Sequence, residues 1–126
     1  MESVLQNIVT GNAAADSAGF RGWLIGDFVP RDLGLRWTPA VEVKWGVHAI
    51  GETREDWGVA AAATSLSVLV RGAIRLVFST GEEALLERPG DYALWRAGVA
   101  HHWRIEQDDT VVFTVRWPAS SESESA

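Results

Sequence analysis

The stretch GDYALWRAGVAHHW, Gly90 to Trp103, constrains this chain more than any other. A Gly-Asp turn opens it, a short apolar run follows, and Gly98 leads three residues on into His101. Upstream stand two β-rich runs, SLSVLVRG and AIRLVF, which meet at Gly72. Tight glycine turns return each strand beside the one before it. Strand, glycine turn, strand, Gly-Asp turn and a strand with an inward histidine is therefore the order of a small antiparallel barrel.

A chain of 126 residues makes one domain, long enough to bury a core and too short for two. Its 11 Lys and Arg against 17 Asp and Glu leave a formal charge of −6. Such a surface repels phosphate backbones, and nucleic acid is not an expected partner. No apolar run reaches the roughly 20 residues of a bilayer span. The segment MESVLQNIVTGN has neither a basic n-region nor an apolar h-region, so no membrane partner is expected. With no cysteine, disulfides and thiolate metal sites are excluded and a reducing compartment is comfortable. The expectation is a soluble cytoplasmic protein.

Residues 1–20 read as an N-terminal arm, loose or with one helical turn over GNAAADSAG. Residues 21–118 carry the grammar of strands. WLIGDFV is β-rich until Pro30 interrupts it. In VEVKWGVH, Val41, Val43, Trp45 and Val47 alternate with Glu42, Lys44, Gly46 and His48, the period of a half-buried strand. GETRED reads as a turn and STGEE as a hairpin tip. Asp108-Asp109 reads as a turn before TVVFTVRW, which Pro118 ends. The acidic residues 119–126 read as a disordered tail. Eight or nine short strands with almost no helical period predict an all-β sandwich or barrel.

In Gly90, Gly98 and His101 the sequence resembles the second signature of the cupin family, with Arg96 at the proline position and Ile105 at the asparagine position. The resemblance covers about residues 40 to 117. GWLIGDF, VEVKWGVHAIGETR and TVRWP are similar to small bacterial single-domain cupins of unsettled activity. It implies an all-β, antiparallel double-stranded β-helix, the jelly-roll barrel, with His101 inside the mouth. Metal-bearing cupins usually supply two histidines and a glutamate from a first signature and one histidine from the second, because imidazole and carboxylate suit divalent transition metals. Counting back from Gly72 by the family spacing gives Ser65 for the glutamate. The histidine positions fall at Gly58 and Ala60, or at Val59 and Ala61; counting forward from Gly51 gives Trp57 and Val59. No register yields a ligand, and no cofactor is expected.

By strand parity Trp103 and Ile105 share the His101 face, and His102 points the other way, to the surface or an interface. Two assignments stand open for the Glu42–His48 strand. Its polar face is solvated while the valines pack in the core, or it lines a wet barrel interior while the valines pack elsewhere. In the second case Glu42, Lys44, His48 and His101 converge as a general acid–base set, and Ser65 and Ser67 line the wall. The same arrangement has room for a weakly held divalent transition metal on His48 and His101, with Glu42. Arg96 falls near the mouth, as a rim arginine or as a clamp for a carboxylate.

Seven tryptophans bring large apolar areas, most of them expected in core and dimer packing. Trp57 and Trp103 are expected in the cavity, where they favour a planar or apolar small molecule. So much tryptophan and β-branched surface predicts a homodimer, with WLIGDFV as the contact. Three functional readings follow. The first is a binder of a small organic ligand. The second is a cofactor-free isomerase, cyclase, epimerase or lyase using His48 and His101. The third, a metal-dependent oxygenase or isomerase, is disfavoured by its missing ligands. Fold alone decides none of them.

Overall fold

Alternating side chains give each strand of this chain two unlike faces, and the sheets form by matching like face to like. The computed structural model describes residues 7–59 and 62–118. One sheet contains β1 (Trp23–Ile25), β2 (Glu42–His48), β4 (Thr64–Arg71), β7 (Tyr92–Trp95) and β9 (Thr110–Trp117), in the order β1-β2-β9-β4-β7. The other contains β3 (Thr53–Val59), β5 (Ile74–Phe78), β6 (Glu83–Leu86) and β8 (Ala100–Ile105), in the order β3-β8-β5-β6. Every strand pair is antiparallel. The all-β jelly-roll class read from the sequence is the observed one.

Leu69, Trp95 and Val112 from the first sheet meet Ile74, Leu76, Phe78, Leu86 and Ile105 from the second in one core. Burying such a side chain stabilises by about 1.5–3 kcal/mol, so this layer holds the sheets face to face. Gly72 closes the β4–β5 hairpin at φ +92°, where a Cβ would stand 2.6 Å from the Cα of Thr110. Both the left-handed backbone and the close approach require glycine.

Only the start of GETRED, Gly51, lies in a turn: β3 begins at Thr53. The strand is a sheet edge, where charged side chains face water and guard the unpaired backbone, so its polarity resembles that of a loop. Of the N-terminal arm, the helical alternative is realised in α1 (Ala13–Ser17), where Asn12 accepts a hydrogen bond from the Ala15 amide. The Arg36 guanidinium donates to the Leu24 and Asp16 carbonyls and ties this turn to the barrel. Trp23 and Val29 of the WLIGDFV segment are buried within the chain. The expected tail at 119–126 lies outside the described residues. No helix among the described residues is long and apolar enough to cross a membrane.

The outer face of the larger sheet is apolar. Trp45, Phe113, Val68 and Tyr92 form one cross-strand row, and Val43, Val115, Leu66 and Leu94 a second. Tyr92 and Leu94 are exposed.

Candidate functional site

Because those apolar rows take the outer face, the polar side chains of the same strands turn inward. The second of the two open assignments for β2 is the one observed. Lys44, Gly46 and His48 of β2, Ser67 of β4, and Thr114 and Arg116 of β9 line a cavity between the sheets. Opposite them stand Ile74 and Leu76 of β5 and Trp103 of β8, with Trp95 alongside. The space inside open to water-sized groups is about 50 Å³. One wall is polar and cationic, and the other is apolar and aromatic.

His48 is held by a residue that the sequence reading passed over. Its Nδ1 lies 2.8 Å from Glu52 Oε1, while the other carboxylate oxygen accepts from the Ala49 amide at 2.9 Å. The amide first, and His48 second, hold the Glu52 carboxyl below its usual range. An ionised carboxylate places the imidazole proton on Nδ1 and leaves Nε2 as the acceptor. Nε2 lies over Gly46, where a Cβ would stand 2.8 Å from it. The ring also sits 4.9 Å from that of Trp103.

His101 is 8% exposed, with its ring 5.0 Å from Trp95. Burial pushes its pKa down to about 4, and the charges of Arg116 and Arg54 add to this, with the Gly58 backbone opposing. The ring is neutral near pH 7, and its Nδ1 makes no hydrogen bond. Lys44 is pushed down to about 8 by burial, then by Arg116, Arg54 and Arg21. Among the described residues it forms no ion pair with a carboxylate. Arg116 is buried with its Nη1 3.7 Å from Oε1 of the fully buried Glu42. The guanidinium of Arg116 and the ammonium of Lys44 lie 5.0 and 5.7 Å from the Trp23 ring. Attraction to that ring offsets part of the cost of burying both cations.

Of the residues expected at the site, His48, His101, Lys44, Ser67 and Trp103 share the cavity. Glu42 stands behind Arg116 and does not line it, and Ser65 is buried outside the lining. Trp57 is not a cavity wall: it is 51% exposed and meets His102 edge-on at 4.6 Å. The reason is parity, since Gly58 is the buried residue that pairs with His101 and its neighbour must face out. Arg96 is exposed and outside the lining. Thr114 and Arg116 were missed, although both alternate with Phe113 and Val115 as Lys44 alternates with Val43.

Among the described residues no group of three or more His, Asp or Glu could hold a metal ion. The cavity offers two imidazoles beside an ammonium and a guanidinium. That donor set does not fit a divalent transition metal.

No family model matches the sequence, and no curated protein matches it. Solved structures do. KdgF from Halomonas sp. matches with a TM-score of 0.61 at 18% identity, over 70% of this chain and 79% of that one. A Bacillus halodurans protein matches at 0.64 and 14% identity, over 91% and 83% of the two chains. A cupin protein from Bacteroides fragilis matches at 0.57 and 14% identity, over 67% and 70%. At such identities the likeness speaks for architecture. Two antiparallel sheets closed over an inward histidine, and neighbours of this kind, give the chain the cupin fold, a double-stranded β-helix.

Proposed function

We propose that the protein binds a small organic molecule in the cavity between its sheets. The observation that carries this reading is the inward turn of Lys44, His48, Ser67, Thr114 and Arg116 against a wall of Leu76 and Trp103. A core built only for stability would not bury so many polar groups, each of which costs free energy unless matched. Trp95 and Trp103 beside the cavity supply the readout. Screening small acids, amides and sugars by tryptophan fluorescence and thermal shift should find compounds that raise the melting temperature of the native chain. The same compounds should leave a His101→Ala variant unchanged. A folded protein that answers to none of them would overturn the reading.

The Glu52–His48 pair favours a second reading, a cofactor-free isomerase, cyclase or lyase. His48 Nε2 would accept a proton from the ligand, Glu52 would stabilise the imidazolium, and the Lys44 ammonium would return a proton. Incubation with bound 2-oxo and 3-oxo acids in deuterated water tests this step by NMR. C–H exchange that is lost in His48→Gln supports catalysis. Bound acids that exchange no faster than in buffer leave the binder alone.

A further inference from the structure

We infer that the ligand of this cavity is a short-chain organic carboxylate, its anion held by Lys44 and Arg116 and its carbon chain lying against Leu76 and Trp103. The inference deepens the binding reading and rests on it. The chain carries a formal charge of −6, yet the ammonium and the guanidinium that line its cavity, Lys44 and Arg116, are both positive. Lys44 and Arg116 line the cavity, and Arg54 and Arg21 act on Lys44 from β3 and from the segment before β1. Glu42 faces Arg116, Glu52 is engaged by His48, and among the described residues no carboxylate acts on Lys44. A part-buried ammonium with no carboxylate beside it among the described residues is costly, and an anion entering the cavity offsets that cost. A cation would be repelled, and a neutral molecule would leave the ammonium unmatched.

Size and shape narrow the class. The space that water-sized groups can reach is about 50 Å³, far below the roughly 300–1,000 Å³ of pockets that take drug-sized molecules, and it suits a ligand of few heavy atoms. Inorganic phosphate would fill that space with charge and leave Ile74, Leu76 and Trp103 facing polar oxygens. An acid of about two to four carbons satisfies both walls. The neutral His101 lies in the lining, more than nine-tenths buried, with its Nδ1 unpartnered, an acceptor for a water that bridges to such an acid.

The test is calorimetry on the full chain with acetate, propionate and butyrate, against butyramide, butylamine and inorganic phosphate. Carboxylates should bind at least tenfold tighter than the amide, amine or phosphate. Lys44→Met should weaken butyrate at least tenfold, and Lys44→Arg should restore much of the loss. Because Lys44 loses its proton near pH 8 in the empty site, butyrate affinity should fall about fivefold between pH 8 and 9, and binding there should take up a proton. That pH profile of the native chain decides the matter even if Lys44→Met fails to fold. Amide or amine binding as tight as butyrate would overturn the carboxylate and leave the binder standing, as would phosphate binding equally well. A chain that binds no member of this panel and none of the wider screen would end both.

Discussion

Acid should destabilise this fold through one side chain before its carboxylates titrate. The folded barrel holds His101 neutral down to about pH 4, whereas an unfolded chain protonates the ring near its ordinary value of 6.5. Below pH 6.5 the unfolded state therefore binds more protons, and stability falls as pH falls until the folded ring also charges near pH 4. Each pH unit between the two values is worth about 1.4 kcal/mol. The loss is about 1 kcal/mol at pH 5.5 and about 3 kcal/mol in full. Above about pH 7.5, where the unfolded ring is also neutral, it contributes no pH dependence. His101→Leu preserves much of the volume and removes the titration. Urea unfolding of both proteins, followed by tryptophan fluorescence, should show the native chain losing about 3 kcal/mol relative to the variant between pH 6.5 and 4. Carboxylates held low by partners, such as Glu106 beside Arg75 and Arg104, titrate in both proteins and cancel in the difference. Parallel stability curves across that window would refute the buried, neutral imidazole.

Gly72→Ala should cost at least about 3 kcal/mol in chemical unfolding, because it combines a left-handed backbone with a Cβ against Thr110. Gly46→Ala should cost far less, since its Cβ comes close only to the far end of the His48 ring and meets the Val112 carbonyl at an ordinary 3.6 Å. It should still shift the His48 imidazole resonances and weaken ligand binding, and unchanged resonances would show that the ring does not lie over Gly46. We expect the homodimer on the outer rows of the larger sheet rather than on WLIGDFV, whose Trp23 and Val29 are buried within the chain, since exposed Tyr92 and Leu94 leave an apolar face for a second copy. Leu94→Lys should then give a monomer in sedimentation, and a native chain that is monomeric at micromolar concentration would dismiss the dimer.

The fold was legible because its signals are local: glycine turns at Gly72 and Gly90, alternation from Val41 to His48, and His101 in register with Gly98. The inward face of β2 was not, because parity within one strand fixes which residues share a face and leaves open which face is inside. Register with its neighbours resolves it. Trp45 pairs with Phe113 and Phe113 with Val68, so one apolar face continues across three strands and the polar face must be the interior. Glu52 escapes notice because GETRED reads as a turn, and its contact with His48 spans four residues outside any strand period. Trp57 misled for the converse reason. A large aromatic at an expected ligand position invites an interior role, but Gly58 occupies the inward place beside His101.

The residues at the would-be ligand positions make sense of the cations opposite. In a metal-bearing barrel of this fold the ion is the largest positive charge in the mouth, and it attracts and polarises anionic substrates. Here Gly58 lies at one of those positions and Ser65 at another, neither able to replace a charged ligand set. The neighbouring strands β2 and β9 bring an ammonium and a guanidinium to the same cavity and rest both against Trp23. The site keeps its positive field and carries it on side chains. A fixed cation of this kind can hold and orient an anion, and Lys44, with its proton loosely held, can also give one up. On that argument Trp23 is a positioning residue. Replacing it with Leu should leave the strands paired but remove an attraction that favours the charged ammonium, lowering the Lys44 pKa below about 8 and starting the decline of carboxylate binding at a lower pH. A Trp23→Leu protein that binds butyrate with an unchanged pH profile would show that the ring plays no part in setting the charge.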